Sequence, residues 1–154
     1  MTASRVPAAV DALLDILRAR PALAGVRIVD GPEPVNLTDK RRIHVGWSPF
    51  SDAAVSLQQD FNSAGARTRD EVFQIAGYVE VRSGDKDMKQ RRDDAFALLG
   101  EVEQALRATD AAPEAPTLNG TVLWAQLTAG DLYQQQAKGS TAGLAFTVTC
   151  QARI

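Results

Sequence analysis

The chain has 154 residues, enough for one domain that buries roughly 70% of its extended-chain surface without disulfide or metal support. Its 45% hydrophobic and 23% charged residues are ordinary for a globular protein, and a formal charge of -2 supplies no field to gather nucleic acid, which argues against a dedicated DNA-binding module. The single cysteine, Cys150, excludes an intrachain disulfide framework and fits cytosolic synthesis, and neither a secretory signal nor an apolar run of the roughly 18 residues that span a bilayer is read in the chain.

Pro7 stands where a first helical residue tolerates it, and Val10, Leu13, Leu14 and Leu17 mark one helical face. A helix is therefore predicted from there until Pro21 stops it near Arg20. Residues 26–30 (VRIVD) read as a short strand halted by Gly31, Pro32 and Pro34, and residues 42–47 (RIHVGW) as a second. Residues 48–70 carry no helical period and only a weak alternation in AAVSLQQDF. Structureless loops longer than about 12 to 15 residues are uncommon without a task. This stretch is expected to be an extended arm or extra edge strand able to reach a neighbouring subunit, or else a surface loop that tucks Phe50 and Phe61 into its own core.

Residues 71–82 (EVFQIAGYVEVR) form the first long strand, with Phe73, Ile75, Val79 and Val81 on one face and Gln74, Glu80 and Arg82 on the other. It leads into residues 83–108, which hold the strongest helical period. There Met88, Ala95, Leu98, Leu99, Val102, Ala105 and Leu106 share one stripe, while Arg91, Arg92, Asp94, Glu101, Glu103 and Arg107 fall mostly outside it. A helix of about 87–108 with one apolar stripe must cover something, and the flanking alternating runs make that a sheet. Asp87 is expected to cap it, with Gln90 reaching back. Asp85 adds negative charge that answers the partial positive charge of the helix start rather than making a cation site.

Residues 109–119, rich in proline, alanine and acid, connect the helix to a hairpin. Residues 121–136 run out, 138–141 turn, and 144–154 return, with Leu144, Phe146, Val148, Cys150, Ala152 and Ile154 opposite Thr147, Thr149, Gln151 and Arg153. The polar YQQQ end of the outgoing strand is expected to project into solvent or a partner. The predicted class is α+β in one domain: a mainly antiparallel or mixed sheet packed by two helices, with a long arm and a projecting C-terminal β-hairpin.

Few residues could carry chemistry. His44 is the lone histidine, which excludes a multi-histidine metal site and leaves a nucleophile triad one possible base; in a short strand it reads as a satisfied or exposed strand residue. Cys150, on the apolar face of its strand, reads as a small hydrophobe rather than a thiolate. There is no GxxxxGK[ST], and the GSTAG at 139–143 is turn chemistry. Lys40, Arg41 and Arg42, like Arg67 and Arg69, form short clusters without interleaved aromatics, suited to solvent or to pairing across a subunit interface. No catalytic, cofactor or metal site is expected, so function is sought in surfaces. Trp47, Phe50 and Phe61 are the candidate aromatic anchors, and Arg67, Arg69, Gln134, Gln135, Gln136 and Lys138 the candidate polar contacts.

In order and length these elements resemble the tail terminator proteins of long-tailed bacteriophages, also called tail-completion or tail-to-head joining proteins. The resemblance covers nearly the whole chain. It rests on LLDILRARPALAGVRIVDG, the HVGW strand, RDEVFQIAGYVEV running into SGDKD, the AFALLGEVEQAL helix, LNGTVLWAQL and the closing FTVTCQARI. It implies a non-enzymatic structural virion protein: a homohexameric ring that caps the head-proximal end of the tail tube once the tape-measure protein has set its length, ends elongation and joins the tail to the head connector. The implied partners are further copies of itself, the tail tube protein, a head-completion or connector protein and the end of the tape measure. DNA is expected only to pass through the ring, with no cofactor and no membrane, and assembly in the host cytoplasm. Two other readings stand beside this one: a head-completion or stopper protein in the same assembly, and a small cellular α+β domain that binds a ligand or protein partner in the cleft between sheet and helix.

Overall fold

Pro7 in the first turn and Pro21 beyond the last bound helix α1 (Val6–Ala19) in the computed structural model, which describes residues 3–34, 39–65 and 67–154. Its apolar face buries Ala9, Ala12, Leu13, Leu14 and Leu17. The residue before the helix, Arg5, provides no side-chain cap; its own N–H is answered from far away in the chain and the Val6 N–H by the nearby Ser4. Glu71, fully buried, accepts hydrogen bonds from the Arg5 N–H at 2.8 Å and the Ser4 hydroxyl at 2.6 Å, and the Ser4 oxygen accepts from the Val6 N–H at 3.0 Å.

Six strands follow the sequence: β1 (Arg27–Asp30), β2 (Arg41–Val45), β3 (Val55–Phe61), β4 (Arg69–Ser83), β5 (Trp124–Gln136) and β6 (Ser140–Arg153), with helix α2 (Met88–Ala105) between β4 and β5. They make one sheet in the order β1-β2-β4-β6-β5, in which β1 and β2 are parallel and the other pairs antiparallel. β6 accompanies β4 from Asp70 to Ser83, so β2 and β3 share the opposite flank of β4, end to end. β3 pairs with residues 69–75 and β2 with residues 77–81. The residue between, Ala76, accepts from the Gly46 N–H at 2.7 Å and donates its own N–H to the Ala54 carbonyl at 3.0 Å. Residues 47–53 therefore leave the sheet and re-enter it at a single residue of β4. Of the forms expected for residues 48–70, the extra edge strand is the one realised, bonded within its own chain rather than reaching out as a free arm.

Period-two alternation sorts the side chains of the sheet onto two faces. One carries Phe73, Ile75, Val79 and Val81 of β4, Leu144, Phe146, Val148 and Cys150 of β6, and Ile43 and Val45 of β2. These form one core with the α1 face and with Ala95, Leu98, Val102 and Ala105 of α2. Gly77 lies directly opposite Phe146, and the aromatic ring fills the space that a Cβ there would need. Leu99 and Met88 are only half-buried, so the stripe on α2 is narrower than the spacing predicts; Leu99 lies beside Gly130, where the helix overhangs the edge strand β5.

The expected cap of α2 is present, Asp87 Oδ1 accepting from the Gln90 N–H at 3.1 Å, but Gln90 does not reach back. The Asp87 N–H it would have served is already bonded to Asp85 Oδ1 at 3.0 Å, and the Gln90 amide turns forward to Asp94 at 2.7 Å. The C-terminal hairpin is also present. The sheet follows it almost to the tip, so that only residues 137–139 extend past the last pair, Gln136 with Ser140. No helix among the described residues is long and apolar enough to cross a membrane.

Candidate functional site

The face of the sheet away from the helices has no helix over it, and the register decides what it displays. Across β2, β4, β6 and β5 one row reads His44, Tyr78, Ala145 and Asp131, and the next reads Arg42, Glu80, Gly143 and Tyr133. Gly143 leaves room for the Tyr78 ring, whose hydroxyl would collide with any Cβ there. The result is a dip in the sheet with aromatic rings along its rim.

Residues 47–53 fold across this dip. Trp47 meets Tyr78 edge-on at 6.0 Å and His44 at 4.7 Å between ring centroids. Phe50 lies edge-on to Tyr78 at 6.3 Å and stacks on Tyr133 at 3.8 Å and 25°. Aromatic pairs at such distances add about 0.5–1.5 kcal/mol each beyond their buried area. Two of the three expected anchors, Trp47 and Phe50, thus have partners within the chain, although Phe50 stays 58% exposed. Burial and the nearby Glu80 carboxylate push the Tyr78 hydroxyl up to about 12, so it is a neutral phenol at any ordinary pH.

His44 is buried, its Nδ1 2.9 Å from the Gly31 carbonyl, which fixes the tautomer with a proton on Nδ1. Burial lowers its pKa, the Gly31 hydrogen bond opposing this and the Arg42 charge adding to it. Cys150 is buried on the core face, and loss of solvent pushes its thiol up to about 12. A neutral histidine on the open face and a protonated thiol in the core lie on opposite sides of the sheet and cannot act together. No group of three or more His, Cys, Asp or Glu side chains among the described residues could hold a metal ion.

Arg42, expected in solvent or across an interface, is instead buried and paired with Glu80 at 2.8 Å, with Arg82 on the same carboxylate at 3.4 Å. The strand register places it there, directly opposite Glu80. Arg67 is exposed, while Arg69 sets its guanidinium 5.8 Å from the Phe61 ring centroid. Phe61 is the most exposed large hydrophobic residue among the described residues at 67%, and Leu57 stands out on the same face of β3. Gln134, Gln135 and Lys138 are exposed, and Gln136 donates to the Lys86 carbonyl at 2.9 Å, which ties the hairpin tip to the start of α2.

The sheet ends in the four-residue β1 and in two longer, unlike open strands, β5 and β3. β5 offers 13 residues with no proline, no lysine and one charge, Asp131, and its only irregularity is a bulge at Thr128. β3 offers seven residues with one charge, Asp60. Lysines, prolines and cover are how folded chains usually guard such edges, and neither strand carries the first two. Apolar side chains line both on the helix side: Leu57 and Phe61 at β3, and Leu127, Leu132 and the neighbouring Leu99 at β5. Sequence reasoning identified Phe61 but missed that β3 and β5 both end the sheet, because no local pattern says which strand ends a sheet. A comparison with protein-family models found no match for this chain, and a search of curated proteins found none either.

Proposed function

We propose that this chain is a non-enzymatic structural protein of a long-tailed phage, acting as a ring at the head-proximal end of the tail. The observation that carries the reading is the pair of unguarded edges. A contact between unlike patches at opposite ends of one molecule is head-to-tail, and repeated it closes into a ring when the rotation allows. Joining β5 of one copy to β3 of the next extends the sheet and sets Leu57 and Phe61 beside Leu127, Leu132 and Leu99. Six copies, the tube, the tape-measure end and the head connector as partners, and residence in the virion tail all come from the resemblance of the element order to tail terminators.

A terminator must cover the growing end of a tube without templating another layer. A ring in which the long edges of β5 and β3 are used laterally leaves only the four-residue edge of β1, with Arg27 and Asp30 at its ends, for other contacts. The test is assembly. Tail tube protein of the same phage is polymerised with and without this chain, and tube lengths and end shapes are compared by electron microscopy. Shorter tubes with capped ends are expected, together with a solution mass several times that of one chain. Unchanged growth with bare ends refutes the terminator reading, and binding to the portal side instead points to a stopper.

A further inference from the structure

Small side chains meet where three strands cross the open face. In register, Ala76 of β4, Thr147 of β6 and Ala129 of β5 form one row, and Ala145 and Asp131 continue the row beside it. Their shortness leaves a hollow, and the loop of residues 47–53 walls it with Ser48, Phe50 and Ser51. The cavity has a volume of about 170 Å³ and opens to solvent beside the stacked rings of Phe50 and Tyr133. Pockets for drug-sized molecules run to roughly 300–1,000 Å³, so this one suits a single side chain.

Its chemistry is specific as well. The lining includes the aromatic residues Phe50 and Tyr133 on the open face, the hydroxyl-bearing Ser48, Ser51 and Thr147, and one ionisable carboxylate, Asp131. Ser48 and Ser51 are already engaged with the loop backbone, at the Phe50 N–H and the Ala53 carbonyl. Asp131 makes no ion pair or side-chain hydrogen bond among the described residues, whereas the nearby carboxylate on this face, Glu80, is paired with Arg42. An unpaired carboxylate beside aromatic rings is the environment that favours an organic cation.

We propose that this notch is a binding site for an arginine side chain presented by a partner protein. A guanidinium is planar and weakly hydrated, so it can lie along the outer face of the Phe50–Tyr133 pair while its N–H fork meets the Asp131 carboxylate. A lysine ammonium would keep more of its water and stack less well. Asp131 and Tyr133 belong to the edge strand β5 but to its open face, away from the helices, so the site is testable on the chain without ring formation.

The experiment is an NMR titration of the purified chain with N-acetyl-arginine methylamide, with N-acetyl-citrulline methylamide as the neutral isostere. The arginine probe is expected to shift the amide signals of Gly130, Ala145 and Thr147 saturably, and to bind about fivefold more tightly than the citrulline probe, as befits an exposed cation–π contact with one charge pair. Asp131→Asn, at an exposed position, should leave the melting temperature unchanged and reduce arginine binding to the citrulline level; Tyr133→Leu should weaken both probes. Equal binding of the two probes, an Asp131→Asn variant that binds arginine as wild type does, or shifts that never saturate would each overturn the proposal.

Discussion

Glu71 offers the sharpest test of how the chain is held together. Its carboxylate is fully buried and takes three hydrogen bonds: from the Ser4 hydroxyl at 2.6 Å, the Gln59 amide at 2.7 Å and the Arg5 N–H at 2.8 Å. It therefore fastens the start of α1 to β4 and, through Gln59, to β3. A hydrogen bond to a charged group contributes about 1.5–3 kcal/mol. Ser4 and Gln59 are only partly buried and can turn to water when the acceptor is removed, so Glu71→Ala should cost about 3 kcal/mol rather than the full sum. For a domain of this size that lowers the melting temperature by about 6–12 °C. Glu71→Gln should cost roughly half as much, because its NH2 must face one of the three donors whichever way the amide is turned.

The pH dependence gives an independent reading of the same site. Burial pushes the carboxyl upward, but the bonds from Ser4, Gln59 and Arg5 together outweigh it and leave its pKa below the ordinary 4.5. As pH falls, the unfolded chain therefore binds the proton first. The carboxylate's contribution is complete above that ordinary value and is lost as pH drops through the lower, folded one. Thermal melts of wild type and Glu71→Gln should differ at neutral pH and converge under acid conditions. A Glu71→Ala protein that melts with wild type, or a gap to Glu71→Gln that persists undiminished at about pH 3, would falsify this account.

Three further outcomes are expected. Gly77→Ala should destabilise by about 1–3 kcal/mol, because the added methyl meets the Phe146 ring, and Phe146→Leu should relieve part of the loss in the double variant; additive losses in that cycle would remove the argument. Leu98→Ala, at a buried position, should cost about 2–5 kcal/mol in urea unfolding. Leu99→Ala, at the overhang beside Gly130, should cost clearly less, and equal losses would mean that α2 is rotated from its described position. The Cys150 thiol, pushed up to about 12 by burial, should resist a thiol-disulfide reagent at pH 8 until denaturant is added; rapid labelling of the native protein would place it outside the core.

Much of this fold was legible in the sequence where a period runs long enough to be counted. The alternation of Phe73, Ile75, Val79 and Val81 and that of Leu144 through Ala152 fixed two central strands and their inward faces, and the prolines at 7 and 21 bounded α1. What escaped depends on contacts between distant residues. VSLQQDF alternates only weakly, and nothing local says that it continues the line of β2 along β4. Glu71, at the start of a strand, looks like a solvent-facing acid until Ser4 and Arg5 arrive from 66 or more residues away. Trp47 and Phe50 read as surface anchors because their partners, Tyr78 and Tyr133, come from strands that the local sequence does not bring near.

The departure and return of the chain at Ala76 bears on how such a domain tolerates change. Because Gly46 and Ala54 both bond to that one residue, the length of what lies between them does not enter the register of either β2 or β3. Lengthening a loop whose ends are already fixed adds only about 0.6 kcal/mol of closure entropy per doubling. Residues could be inserted after Ser51, beyond the Phe50 stack, without moving a strand. A reporter tag, a fluorophore attachment site or a short recognition peptide grafted there would stand on the open face of the sheet while the core stayed as it is. The same spot is where natural variation could lengthen the surface between related chains at small thermodynamic cost.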